Sequence, residues 1–212
     1  MRNISRRITP ESKRAPGSSA GGSKIMLVTA MVAALLAGSM PAQDSGSCRF
    51  VLSSPEVTDG GILPVDFTGD GSGATLPLEW RGSPEGTASF AVVMHHVDPE
   101  GKTKWYWVIY NIPADVRSLP KNASGIGTVG NNSITGGTGY APPHSKGPGA
   151  KTYIFTVYAL SKPPHISVEP ARGSREVLLD AIKESILASA ELKVVYTRQD
   201  KVPPAPGTHG GT

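Results

Sequence analysis

The chain has 212 residues, 38% of them hydrophobic and 18% charged, enough for one ordinary domain with a core of its own. Its net charge of +4 sits at one end: six of the 21 Lys and Arg and one of the 17 Asp and Glu precede Pro41, which leaves 15 basic against 16 acidic residues beyond it. So balanced a remainder lacks the basic footprint of a nucleic-acid binder, and a single cysteine, Cys48, excludes an intrachain disulfide.

Residues 1–24 are polar and basic, and Ile25 to Ala37 is an uncharged apolar run followed by Gly38, Ser39 and Pro41-Ala42. Basic, apolar, small is the order of a secretory signal, and the run is shorter than the ~20 residues a spanning helix needs. Residues 1–42 therefore read as a signal peptide or N-terminal leader, cleaved after Ser39 or near Ala42, with retention as a membrane anchor as the alternative. Either reading puts the rest of the chain in the periplasm or outside the cell. Ser5-Arg6-Arg7 lies too far upstream of the apolar run to weigh as a twin-arginine signal. Asp44-Ser45-Gly46-Ser47 lacks the small and apolar residues that would make Cys48 a lipid-anchored cysteine.

Beyond the leader, Arg49 to Ser53 predicts a first strand, ended by Ser54-Pro55, and after the turn signal Asp59-Gly60-Gly61 a short second strand covers Ile62 to Phe67. Leu76 to Trp80 is a short extended segment, since its Pro77 cannot sit in a central strand. Three apolar runs then stand out: Ala88–Val97, the aromatic and β-branched Trp105–Ile112, and Tyr153–Leu160, each bounded by Gly, Pro or Asp as buried strands are. Pro113 to Lys151 is a Gly-, Pro- and Asn-rich stretch without periodicity, long enough to be functional or to hide elements. One helix is predicted, capped by Ser174, with Val177, Leu178, Ala181, Ile182 and Ile186 as its apolar face, and Val194 to Thr197 forms a last strand. Residues 199–212, with Val-Pro-Pro-Ala-Pro at 202–206, read as a disordered tail.

Few motifs carry chemistry. Gly125-Ile126-Gly127-Thr128-Val129-Gly130 matches the dinucleotide pattern in letters, but Gly136-Gly137 and Pro142-Pro143 follow where a helix is required. No histidine pair has helical metal-ligand spacing, and Asn122-Ala123-Ser124 and Asn131-Asn132-Ser133 are glycosylation sequons by pattern alone. His95 and His96 end a strand; alternation puts Phe90, Val92, Met94 and His96 on one face, so at most one of the two histidines enters any given pocket.

Several segments together, in order, are specific. Phe50-Val51-Leu52-Ser53-Ser54-Pro55, Leu76-Pro77-Leu78-Glu79-Trp80, Ser89 through Asp98-Pro99, Trp107-Val108-Ile109-Tyr110-Asn111-Ile112-Pro113-Ala114, Tyr140-Ala141-Pro142-Pro143, Lys151-Thr152-Tyr153 and Val157-Tyr158-Ala159-Leu160 resemble the phosphatidylethanolamine-binding protein family, in its bacterial Raf-kinase-inhibitor-like branch. The resemblance covers about Phe50 to Arg198. It implies a mostly β domain over residues 49–198, a β-sandwich with a large central sheet, a smaller sheet and a C-terminal helix. It also implies a small anion cavity walled by a D-P-D-x-P motif, a histidine before the aromatic strand, a Pro-Pro loop and a G-x-H-R-Y motif. On that pattern His96 stands for the first Asp of D-P-D and Asp98 for the second, Tyr106 for the histidine, and Lys151-Thr152 for His-Arg, while Pro142, Pro143 and Tyr153 are kept.

Those exchanges remove a carboxylate and add a fixed ammonium, which keeps an anion site and weakens a site for the ammonium of ethanolamine. The expectation is a non-catalytic, exported binding module for a small anionic or phosphorylated ligand, its pocket lined by His96, Asp98, Tyr106, Pro142, Pro143, Lys151 and Tyr153. The alternative is a protein-interaction or inhibitor module acting through the 113–150 region. No cofactor, metal or nucleic acid is expected, a membrane only through an uncleaved leader, and no catalysis, since no nucleophile has a defined partner.

Overall fold

The computed structural model describes residues 49–145 and 149–198, so the expected leader and tail lie outside the described residues. The described residues form two antiparallel sheets. A three-stranded sheet has the order β1-β2-β5, from Val51–Ser53, Leu78–Arg81 and Ser118–Leu119. A five-stranded sheet has the order β6-β4-β3-β7-β8, from Thr128–Val129, Thr103–Pro113, Ser89–Val97, Lys151–Leu160 and Ile186–Tyr196. The one α-helix among the described residues, α1, runs Arg175–Ile182. The mostly β sandwich with a large sheet, a smaller sheet and a late helix is the expected one.

β3 lies at the centre of the large sheet and is buried on both sides, which is why its sequence is an unbroken apolar run rather than an alternating one. Phe90, Val92 and Met94 face the small sheet, joining Leu52, Leu78, Trp80 and Leu119 in the main core. Ala91 and Val93 face the other way and pack with Val108, Tyr110 and Leu160 under Leu178 and Ile182 of α1. The helix start is as predicted, with the Ser174 hydroxyl accepting from the Val177 amide at 3.2 Å.

Three element predictions need correction. Ile62 to Phe67 is no strand: Ile62 makes a single parallel bridge to Val195, Pro64 cannot donate, and Val65–Phe67 winds into a 3-10 turn closed by the Thr68 hydroxyl on the Val65 carbonyl at 2.7 Å. Ile186 is not on the helix. Ser185 closes α1 through its amide (2.8 Å) and hydroxyl (3.0 Å) on the Ile182 carbonyl, and Ile186 opens β8, paired with Leu160. That strand is far longer than the predicted Val194–Thr197, because its first half shows mostly small and exposed residues that carry no β signal. The 113–151 stretch holds β5 and β6. Gly127 has φ +71, and a Cβ there would sit 2.5 Å from the Tyr110 carbonyl oxygen, so this glycine of the dinucleotide-like run serves the tight seating of β6 on β4.

Candidate functional site

β4 carries one residue too many opposite β3. Met94 pairs with Trp107 and His95 with Trp105, which leaves Tyr106 unpaired in a bulge. The bulge turns Tyr106 and Trp107 into the same core, where successive strand residues would otherwise diverge. Tyr106 there meets Tyr153 of β7 edge-on, ring centroids 5.1 Å apart, and the two phenols hydrogen-bond. Both are buried, 7% and 0% exposed, and burial pushes the pKa of each phenol up, making it a weaker acid. The pair therefore stays neutral and offers hydroxyls rather than negative charge.

Above the two phenols opens a cleft of about 630 Å³. Its lining includes Lys102, Lys104, Lys151 and His144 and, among the described residues, no Asp or Glu. Ser145 also lines it; its hydroxyl is buried and, among the described residues, has no hydrogen-bond partner. The far wall is the loop after β6, which sequence reasoning left unassigned. Asn132 organises that loop: its Oδ1 accepts from the Ile134 amide (3.1 Å) and the Thr135 amide (2.8 Å), while Nδ2 donates to the Gly137 and Gly139 carbonyls at 2.9 and 3.2 Å. Ser133 and Asn131 fasten it to β4, the Trp105 amide donating to the Ser133 hydroxyl (2.8 Å) and the Trp105 indole to Asn131 Oδ1 (3.1 Å). The Asn-Asn-Ser triplet, visible as a sequon, was the available signal for this wall.

The predicted site residues divide. Tyr106, Lys151 and Tyr153 come together in the cleft. His96 packs against Tyr153, ring centroids 5.4 Å apart, yet lines a neighbouring depression of about 420 Å³ with Asp98, and Lys151 borders both. His96 Nδ1 is 2.8 Å from the Thr152 carbonyl oxygen, which can only accept, so Nδ1 carries the proton. Asp98 is occupied by the β3–β4 turn: Oδ1 accepts from the Lys102 amide at 2.8 Å and Oδ2 meets Lys104 Nζ at 3.2 Å. Although partial desolvation opposes it, these contacts hold the Asp98 carboxyl below its ordinary range. Pro142 and Pro143 line neither cavity. They brace the adjoining loop instead, Pro142 against Gly73, and Pro143 through its carbonyl, which accepts from the Gly69 amide at 2.8 Å.

Residues 53–197 match the sequence profile of the family named Phosphatidylethanolamine-binding protein, and the chain belongs to that family. A UPF0098 protein of Methanothermobacter thermautotrophicus is 31% identical over 151 residues, covering 69% of this chain and 98% of its own. Two crystal structures share the fold. CT736 of Chlamydia trachomatis superimposes with a TM-score of 0.66 at 27% identity, covering 72% of this chain and 100% of its own. Escherichia coli YbcL, described as a member of the mammalian PEBP family, gives 0.64 at 30% identity, covering 71% and 99%.

Proposed function

We propose that the chain is an exported, non-catalytic module that binds a small anionic or phosphorylated ligand in the cleft over Tyr106 and Tyr153. The observation that carries this reading is the make-up of the lining among the described residues: three lysines, a histidine, neutral phenols and a buried Ser145 hydroxyl without a hydrogen-bond partner there, and no carboxylate. Lysine ammonium groups and hydroxyl donors complement phosphate or carboxylate oxygens, and the carboxylate nearest them, Asp98 on Lys104, stands outside the described lining. A ligand ammonium has no carboxylate partner there, because Asp98 is held in the turn by Lys102 and Lys104.

Binding without turnover is supported at His96, which packs against Tyr153. His96 is tied to a backbone carbonyl rather than to a carboxylate, so it lacks the orienting partner of a general-base relay. Export rests on the basic, apolar, small order of residues 1–42. Periplasmic or secreted product shortened by about that leader, seen by fractionation and mass spectrometry, is the expected result.

Calorimetric titration of the full chain with inorganic phosphate, and separately with tetramethylammonium, tests the binding claim. Phosphate should bind and tetramethylammonium should not, and Lys151→Ala should weaken phosphate by about tenfold. Equal binding of both ions, or phosphate affinity untouched by Lys151→Ala, would refute it.

A further inference from the structure

A second cleft, of about 510 Å³, lies at the C-terminal end of β8 and shares only His144 with the first. Its wall is the 60–65 segment, fixed to β8 by backbone bonds from the Gly60 amide to the Lys193 carbonyl (2.7 Å), the Leu63 amide to the Val195 carbonyl (2.8 Å) and the Val195 amide to the Gly61 carbonyl (2.8 Å). This pairing buries Leu63 and forces Ile62 outward, 78% exposed, and Val65 is 57% exposed beside it. Two branched aliphatic side chains held in water on a rigid wall are an apolar surface without a partner in the described fold.

The other end of the cleft is polar. Asp70 accepts a hydrogen bond from the Tyr196 hydroxyl, meets Arg198 Nη2 at 3.1 Å and lies 3.7 Å from His144 Nδ1. The Tyr196 hydrogen bond, then Arg198 and His144, lower its proton affinity against some desolvation, so Asp70 stays charged and acts as the anchor that orients Arg198. A guanidinium has five N–H donors, and the contact to Asp70 engages one nitrogen of Arg198.

We infer that this second cleft binds a small amphipathic monocarboxylate, its acid group on Arg198 and its apolar body along Ile62 and Val65. The planar fork of arginine matches a carboxylate, and one guanidinium can bridge two of them. Asp70 and the absence of lysine from the lining, among the described residues, disfavour a dianionic phosphate head. The inference does not depend on the first cleft.

The test is methyl-detected NMR on the full chain, titrated with acetate, butyrate, hexanoate and octanoate below the micelle-forming concentration, and with octyl phosphate. Affinity should climb along the series by up to about fourfold per methylene, with shifts at Ile62 and Val65. Arg198→Gln should weaken octanoate by about tenfold. Because Arg198→Gln also strips Asp70 of a partner, Ile62→Asp serves as a second variant at an exposed position, with the same expected loss. Lys151→Ala should leave octanoate unchanged. A flat chain-length series, octanoate affinity indifferent to Ile62→Asp, its loss in Lys151→Ala, or tighter binding of octyl phosphate would each overturn the inference.

Discussion

Tyr106 owes its place to backbone geometry: the bulge adds a residue to β4 where the cleft needs a floor. Removing its hydroxyl leaves the buried Tyr153 phenol short of a partner, so Tyr106→Phe should destabilise the fold by about 1–2 kcal/mol and weaken phosphate binding, checked by urea unfolding and titration. A second irregularity on the same strand sits at Asn111, with φ 55 where β4 and β3 shift register again. Asparagine tolerates that conformation and a β-branched residue does not, so Asn111→Val should cost about 1–2 kcal/mol while Asn111→Gly is nearly neutral by the same assay. Asn132→Ala should cost about 2 kcal/mol, since one side chain satisfies several loop groups at once. None of these roles shows in composition or periodicity. A bulge is a mismatch between two strands, and neither strand's sequence marks it alone.

Strands and helix were legible in proportion to how deeply they are buried. β3, β4 and β7 have both faces covered, and their apolar runs announce them; β5 and β6 are two residues long and have no period to read. At Ile186 helical spacing misled, because pairing with Leu160 of β7 decides the backbone there. Face assignment held along β3: His96 shares the Phe90, Val92 and Met94 side and stacks near Tyr153. His95 faces the α1 side, and its proton affinity is lowered, chiefly by desolvation and next by Arg175. A histidine that stays neutral in the fold but takes up a proton when unfolded makes stability rise with pH and fall below its ordinary value of 6.5. Melting temperature should therefore drop between pH 7.5 and pH 5, and drop less in His95→Gln. At lower pH, Asp66, Asp70 and Asp98, whose folded carboxyls sit below the ordinary 3.8, add stability that is lost as they protonate.

At the scale of the whole domain, the candidate cleft lies at a corner of the sandwich. The ends of β4 and β7, the turn after β3 and the loops around Asn132 and His144 converge there, while the core behind them is closed by large apolar side chains. Of the residues that the family resemblance singled out, Tyr106, Lys151 and Tyr153 line the cleft at that corner. The resemblance did not separate His96 and Asp98 into a neighbouring depression, because their commitment to Thr152 and to the β3–β4 turn is a tertiary fact. The central claim is that the carboxylate-free cleft holds an anion. The direct measurement is an NMR titration of the full chain with inorganic phosphate, following Tyr106, Ser145, Lys151 and Tyr153. Saturable shifts at these residues, with affinity about tenfold weaker in Lys151→Ala, are the predicted result. No shifts at millimolar phosphate, or an affinity unchanged in Lys151→Ala, would contradict it.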